Sequence, residues 1–210
     1  MPQKIWIFDL DDTLHDASSH IFPMMNRAMT QYIIDNIGLD EPAAFALRQH
    51  YWRVYGATLK GLMRHHKTNP HHFLHQTHSP LDLESMVKTT KGLHHFLTKL
   101  NGRKVIFTNA PQSYAMRVLQ LLGIADLFEL VFSVESTGLH PKPSIRGFRR
   151  LLNTLKVRPS DCIMLEDNQQ ALMTAKRLGI KTVLITKSIK KPSYVDIRVN
   201  SVLALTHKII

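Results

Sequence analysis

Cysteine is almost absent from this chain, and long apolar runs and membrane signals are absent altogether. Cys162 is the one cysteine in 210 residues, so no disulfide can form within the chain. It lies in the apolar run Cys162–Leu165, and we expect a buried strand thiol in a reducing compartment. No segment reaches the roughly 20 apolar residues of a membrane helix. The first apolar run is short and ends in acids, so we expect no signal peptide and a soluble, cytoplasmic protein.

Acidic residues are also scarce. The chain has 27 Lys and Arg against 16 Asp and Glu, which gives a formal net charge of +11 and a pI near 9.9. No acidic residue lies between Glu41 and Asp82, so we expect this lobe to be more basic than the rest of the chain. A basic surface attracts anions, which include nucleotides, nucleic acid and acidic membranes. Charge alone does not choose among them.

The N-terminal stretch Ile5–Leu14 begins as an uninterrupted apolar run and stops at two carboxylates, Asp9 and Asp11. Such a run is typical of a parallel strand that is buried on both faces. Ligands bind beyond the carboxyl ends of such strands. Two carboxylates held close together repel each other unless a cation is present, and oxygen ligands of this kind suit magnesium.

Two helical segments follow this stretch. The first has apolar residues at three-to-four spacing and is closed by Gly38. The second begins near Glu41 and runs toward Met63, with Gly56 and Gly61 as points where it bends or breaks.

From Lys91 onward, predicted helices and strands alternate, which indicates parallel strands joined by right-handed crossovers. Among these helices, Ser113–Leu122 is expected to have Ser113 as its N-cap, and Asn168 is expected to cap a later one. Polar residues follow the strands here too, namely Thr108, Asn109, Lys142, Glu166 and Asp167. In a parallel sheet these residues converge with Asp9 and Asp11 at one edge.

This constellation matches phosphoryl transfer. Asp9 can attack phosphorus, and Asp11 can protonate the leaving oxygen and then activate water. Thr108 and backbone amides near Asn109 can hold phosphate oxygens, while Lys142 supplies fixed positive charge. Glu166 and Asp167 can complete a magnesium site.

Six histidines lie between His65 and His78. His71 and His75 can share one helix face as metal ligands, but no cysteine or carboxylate joins them. The chain is rich in histidine throughout, so we favour a surface or substrate-facing role over a zinc site.

The order of these motifs, D-x-D-x-T, then Thr-Asn, Lys and an acidic pair, resembles the haloacid dehalogenase superfamily of phosphatases over nearly the whole chain. The resemblance implies an α/β fold with a Rossmann-like parallel sheet core, residues 1–15 and 89–210, and an inserted α-helical cap, residues 16–88. It implies Asp9 as the nucleophile and Asp11 as the acid/base. It assigns phosphate binding to Thr108 and Lys142. Magnesium would be held by Asp9, the Asp11 carbonyl and Asp167, with Glu166 beside them.

A narrower resemblance is to the pyrimidine 5'-nucleotidases. It rests on Tyr55–Leu62 in the cap and on Phe107–Ala110, Ala115–Leu119 and Leu122–Phe128 in the core. It implies UMP or CMP as the small-molecule phosphomonoester substrate. Aromatic and basic cap residues suit a base and an anion. We expect substrate contacts from four cap residues, Tyr55, Thr58, Arg64 and His66.

Two alternatives stay open. The same core serves sugar-phosphate phosphatases and phosphomutases, and nothing in the sequence decides whether the aspartyl-phosphate survives long enough for a mutase to pass the phosphoryl group back. A basic nucleic-acid-binding protein on an inactive scaffold is the lesser alternative, because every residue expected to do chemistry is present and the basic residues are dispersed. Dehalogenation is disfavoured because it needs no metal. We expect neither a membrane nor a nucleic-acid partner, and the sequence does not indicate an oligomeric state.

Overall fold

The structure is a computed structural model that describes residues 3–205, and these residues form two compact units. One unit comprises residues 3–16 and 87–205 and is called the core unit here. The other comprises residues 17–86 and is called the helical unit. Of the helices in the described part of the chain, none combines the length and apolar character that a membrane span requires.

The described residues of the helical unit form five α-helices, which are α1 Ile21–Ile37, α2 Glu41–Tyr55, α3 Thr58–His66, α4 Pro70–His78 and α5 Leu83–Met86. Helix α1 ends at Gly38, as predicted, because Gly38 takes the left-handed conformation with φ +79°. Helix α2 begins at the cap residue Asp40, whose side chain accepts a hydrogen bond from the Ala43 amide at 2.9 Å.

The prediction of one helix from Glu41 toward Met63 is wrong in its length. Gly56 ends α2 in a left-handed conformation with φ +77°, and α3 starts at Thr58. Gly61 does not break α3. A Cβ at Gly61 would overlap the ring of Tyr51 on α2, so this glycine permits the two helices to pack closely.

The excess of positive charge in the acid-free stretch does not extend to the whole helical unit. The acid-free stretch covers only part of the helical unit, whose 70 residues carry six Lys and Arg against five Asp and Glu. The remainder of the chain carries 21 Lys and Arg against 11 Asp and Glu. Most of the positive charge therefore belongs to the segments that make the core unit.

The core unit contains a parallel sheet of six described strands in the order β3-β2-β1-β4-β5-β6. The strands are β1 Ile5–Phe8, β2 Arg103–Phe107, β3 Leu130–Phe132, β4 Cys162–Glu166, β5 Lys181–Ile185 and β6 Ile197–Val199. Every pairing is parallel, which confirms the predicted α/β fold with a Rossmann-like sheet.

The first strand lies at the centre of the sheet. Ile7 pairs with Val105 of β2 on one side and with Met164 of β4 on the other. All four residues of β1 are buried, which explains why its sequence is continuously apolar rather than alternating. Cys162 at the start of β4 is also fully buried, as expected for a packing thiol, and burial raises its pKa to about 11.

Four α-helices complete the described part of the core unit, namely α6 Leu93–Lys99, α7 Gln112–Leu121, α8 Ile145–Leu155 and α9 Gln169–Arg177. Asn168 caps α9 as predicted, because its side chain accepts hydrogen bonds from the Gln170 and Ala171 amides at 3.0 and 3.1 Å. Ser113 was expected to cap α7, but the helix begins one residue earlier and Pro111 is its N-cap. Proline fixes the extended entry to the helix without a side-chain hydrogen bond.

Candidate active site

The polar residues predicted at the strand ends lie at the carboxyl edge of the sheet. Asp9 directly follows β1, and its amide donates a hydrogen bond to the Leu165 carbonyl of β4 at 3.0 Å. Thr108 directly follows β2, and Glu166 is the last residue of β4. Lys142 lies in the connection between β3 and α8. The parallel arrangement brings these four residues to the same edge.

Lys142 is the centre of this group. Its Nζ donates to Asp9 Oδ1 and to Glu166 Oε2, both at 2.6 Å, and only 5% of the residue is exposed. Burial by itself lowers the pKa of Lys142, but the charges of Asp9 and Glu166 outweigh burial and raise it. Lys142 therefore stays protonated and presents a fixed positive charge beside Asp9.

Three carboxylates form a group that can hold a cation. One oxygen each from Asp9, Glu166 and Asp167 lies within 4.8 Å of the others. Burial raises the pKa of Asp9 and of Glu166, and burial together with the Asp9 charge raises the pKa of Asp167 to about 6. The single Lys142 ammonium leaves two negative charges uncompensated when all three are ionised. An all-oxygen donor set with this excess charge fits Mg²⁺.

The Asp11 carboxylate does not belong to that group, and the metal contact predicted for Asp11 is through its backbone carbonyl rather than through its side chain. Its Oδ1 accepts a hydrogen bond from the Tyr114 hydroxyl at 2.7 Å and contacts His15 Nε2 at 3.0 Å. Burial and the Asp11 charge raise the pKa of Tyr114, so its hydroxyl remains a donor. Sequence reasoning missed Tyr114 because 103 residues separate it from Asp11.

Thr108 and Asn109 differ in what their side chains contact. The Thr108 hydroxyl is buried and accepts a hydrogen bond from the Ala110 amide at 3.0 Å. The sequence predicts phosphate binding at Asn109 through the backbone amides near it. In the structure the side-chain amide of Asn109 bonds to the backbone of Lys142 through both its oxygen and its nitrogen.

The four candidate substrate contacts of the cap lie on or beside α2 and α3 of the helical unit. Tyr55 hydrogen-bonds with His65 at 2.6 Å, and the Arg64 guanidinium lies 5.9 Å from the centre of the Tyr55 ring. His66 hydrogen-bonds with Tyr51 at 2.8 Å. Thr58 is buried, and its hydroxyl donates to the Arg48 carbonyl at 3.3 Å, which leaves it the least available of the four.

The histidines between His65 and His78 form no group of three or more metal-ligating residues within residues 3–205. His71 and His75 do share α4, as predicted. His72 hydrogen-bonds with Tyr32 at 3.0 Å, and His78 is buried against the Leu74 carbonyl. These contacts connect helices or turns of the helical unit.

Two known proteins that are similar to this chain have names that refer to phosphate or pyrophosphate. Phosphate metabolism protein 8 of Saccharomyces cerevisiae is 28% identical over 138 residues, which are 60% of this chain and 42% of that protein. The chain thus spans less than half the length of that relative. Pyrophosphatase PpaX of Bacillus cereus is 23% identical over 197 residues, which are 90% of this chain and 86% of the relative.

Comparison with solved structures supports the fold. A crystal structure of a HAD phosphatase from Thermococcus onnurineus superposes with a TM-score of 0.66 at 16% identity and covers 94% of each chain. The sequence profile of the haloacid dehalogenase-like hydrolases matches residues 6–185, from the first strand to the end of β5. The match includes every strand-end residue described above, and the chain belongs to the haloacid dehalogenase-like hydrolase family.

Proposed function

We propose that the protein is a magnesium-dependent phosphomonoesterase that works through an aspartyl-phosphate on Asp9. The observation that carries the proposal is the buried Lys142 ammonium, which is bonded at 2.6 Å to both Asp9 and Glu166. A carboxylate nucleophile held beside a fixed cation suits attack on an anionic phosphoryl group, because the cation offsets the repulsion between them. The names of the relatives given above agree with chemistry on phosphate.

The first step transfers the phosphoryl group to the enzyme. Asp9 Oδ2, the oxygen that Lys142 does not bind, attacks phosphorus and forms an acyl-phosphate bond. The bond from phosphorus to the leaving-group oxygen breaks, and Asp11 delivers a proton to that oxygen. Tyr114 and His15 both contact Asp11 Oδ1, so we assign the proton transfer to Oδ2.

The second step releases inorganic phosphate. Asp11, now ionised, removes a proton from a water molecule as the water attacks phosphorus. The bond between phosphorus and Asp9 breaks, and the carboxylate is regenerated. Thr108 and backbone amides after β2 hold phosphate oxygens through both steps. Lys142 attracts the same oxygens through its positive charge.

Asp9, Asp167 and the Asp11 carbonyl would hold magnesium, with Glu166 beside them. Bound magnesium would supply positive charge to the reacting oxygens and offset the two excess negative charges of the cluster. Because the carboxylate cluster is buried and its pKa values are raised, we expect ionisation of all three groups to depend strongly on a bound cation.

The proposed substrates are pyrimidine nucleoside 5'-monophosphates, UMP and CMP. Support comes from the resemblance of the Tyr55–Leu62 segment to the pyrimidine 5'-nucleotidases and from the aromatic and basic side chains of α2 and α3. Tyr55, with Arg64 against its ring, offers a surface for stacking on a base. We propose that residues 16–88, which include the helical unit, act as the cap that sets substrate preference.

The experiment measures phosphate release in the presence of magnesium from UMP, CMP, AMP, GMP, their deoxy forms, several sugar phosphates and inorganic pyrophosphate. Pyrophosphate is included because the Bacillus relative is named a pyrophosphatase. Asp9→Asn tests the nucleophile. Asp126→Asn is the matched control, because Asp126 is an exposed aspartate on a short turn of the core unit.

Selective turnover of UMP and CMP that is lost in Asp9→Asn and kept in Asp126→Asn would support the whole proposal. Turnover of sugar phosphates or pyrophosphate alone would keep the mechanism and overturn the nucleotide assignment. Absence of release from every substrate would overturn the phosphomonoesterase itself and favour the nucleic-acid-binding alternative.

A further inference from the structure

Lys142 must be held accurately for its charge to act at Asp9. A lysine ammonium sits at the end of a flexible four-carbon chain, so its position depends on how firmly the backbone beneath it is fixed. Lys142 belongs to neither a strand nor a helix and lies in the connection between β3 and α8. Other parts of the core unit must therefore restrain this segment.

Asn109 provides the first restraint. Its Oδ1 accepts a hydrogen bond from the Lys142 amide at 2.7 Å, and its Nδ2 donates to the Lys142 carbonyl at 3.0 Å. The two bonds engage both polar groups of the Lys142 backbone across 33 residues of sequence. Because Asn109 comes two residues after β2 ends at Phe107, the pair ties the Lys142 segment to the carboxyl end of that strand.

Thr174 provides the second restraint, from a different element. Its hydroxyl, on helix α9, donates to the carbonyl of Pro143 at 2.9 Å. Pro143 directly follows Lys142. The backbone of Lys142 is therefore held by Asn109 after β2, and the next carbonyl along the chain is held by Thr174 on α9. None of these three hydrogen bonds involves a side-chain or backbone group to which the proposed mechanism gives a role.

We propose that Asn109 and Thr174 are positioning residues that fix the backbone of Lys142 and thereby hold its ammonium between Asp9 and Glu166. The side chain of Asn109 thus acts through Lys142 rather than by contacting phosphate. The inference rests on the proposed function for its catalytic consequence, whereas the restraint itself is a property of the folded chain. Loss of either contact should let the Lys142 segment move and should slow the chemical step, because small displacements of a charged group at the reacting atoms reduce rate strongly.

The test uses full-length Asn109→Ala, Thr174→Val and Thr174→Ser. Thr174→Val removes the hydroxyl with little change of volume, and Thr174→Ser retains it. The matched controls are Asn153→Ala and Thr154→Val, which alter exposed residues of α8.

Two readouts are combined in this test. The first is kcat and KM with p-nitrophenyl phosphate and magnesium. The second is the rate at which reductive methylation labels Lys142, which is followed by peptide mass spectrometry and does not require activity. Labelling reports how often the buried amine becomes accessible.

We expect Asn109→Ala and Thr174→Val to lower kcat roughly tenfold to a hundredfold. Labelling of Lys142 should rise about fivefold or more in both variants as its segment opens. Thr174→Ser and the two controls should match the parent protein. Thr174→Val alone decides the matter if Asn109→Ala does not fold, because it removes the hydroxyl that donates to the Pro143 carbonyl. The same hydroxyl also donates to the Gln170 carbonyl within α9 at 3.3 Å, a bond that does not reach the Lys142 segment.

Unchanged labelling with a raised KM in Asn109→Ala would overturn the inference and restore Asn109 as a phosphate ligand. Unchanged labelling and unchanged kcat in Thr174→Val would overturn it as well. If the parent protein released no phosphate but labelling rose in both variants, the restraint would stand and the proposed function would fail. The two proposals are therefore separable.

Discussion

One carboxylate oxygen, Asp11 Oδ1, is contacted by two side chains of different type, a tyrosine hydroxyl and a histidine ring. Tyr114 is buried on α7 and donates its hydroxyl at 2.7 Å, while the buried ring of His15 lies 3.0 Å away. A carboxylate that is held from two sides keeps one orientation. In the proposed mechanism Asp11 gives a proton to the leaving oxygen and then takes one from water, so its orientation contributes directly to rate.

Removal of the Tyr114 hydroxyl should expose this contribution. We expect Tyr114→Phe to lower kcat roughly tenfold with KM nearly unchanged, because Asp11 loses a neighbour that orients it but does not touch substrate. The free energy of unfolding should fall by about 1 to 2 kcal/mol, since a hydrogen bond to a charged group is lost from a buried site. Steady-state kinetics and urea unfolding measure the two effects.

Tyr32→Phe is the matched control for Tyr114→Phe. It also removes a tyrosine hydroxyl that hydrogen-bonds with another side chain, His72, but it lies in the helical unit. An equal loss of kcat in both variants, or an unchanged kcat in Tyr114→Phe, would contradict the orienting role.

At the scale of elements, the close packing of α2 against α3 depends on a glycine, which has no side chain. Gly61 lies within α3, and the ring of Tyr51 occupies the space where its Cβ would be. Alanine is the better helix former by about 1 kcal/mol, so propensity alone would favour Gly61→Ala. We expect the opposite result, a loss of about 1 to 3 kcal/mol, because Tyr51 is buried and must move.

Thermal unfolding followed by circular dichroism measures that loss. Lys60→Ala is the control, since Lys60 is the exposed neighbour of Gly61 on the same helix and should change stability little. An increase in stability on Gly61→Ala would show that the close approach of Tyr51 carries no energetic weight.

The same junction shows how far sequence patterns predict the elements. Gly56 and Gly61 are the same residue type five positions apart, yet the first ends a helix and the second lies inside one. The difference comes from Tyr51, which packs against Gly61 from the preceding helix. Local sequence identified both positions as special but did not distinguish a helix end from a tertiary contact.

The sheet was more predictable for a physical reason. A strand buried on both faces, such as β1, has a continuous apolar sequence, and its end is marked where charged residues begin. The parallel topology then brings separate strand ends together, which accounts for the contacts among Asp9, Lys142 and Glu166. Tyr114 and Thr174 could not be inferred in this way, because they reach the site from within helices whose rotation the sequence does not fix.

For the whole molecule, cation binding should be visible as stability. Burial, and to a smaller extent repulsion from neighbouring carboxylates, raises the pKa values of Asp9, Glu166 and Asp167, which signifies that their charges are unfavourable in the folded state without a cation. An ion that binds only the folded chain stabilises it by about 2.7 kcal/mol when present at a hundred times its dissociation constant. We therefore expect magnesium to raise the temperature of unfolding.

Differential scanning calorimetry with and without magnesium measures this shift. Asp167→Asn should remove most of it, whereas Asp126→Asn, an exposed aspartate of the same unit, should keep it. A shift of equal size in the parent protein and in Asp167→Asn would place the ion away from the carboxylate cluster.

The central position of β1 has a consequence for how the chain is made. Once Ile7 has been synthesised, its partners Val105 and Met164 emerge only after roughly 100 and 160 further residues, on the order of ten seconds or more at typical elongation rates. The contiguous helical unit, residues 17–86, can meanwhile complete its internal contacts. The strand that leads into Asp9 is therefore the first described strand of the sheet to be translated, yet both of its edges are paired only after β4 emerges. During that interval the apolar side chains of β1 lack the neighbours that bury them in the folded sheet.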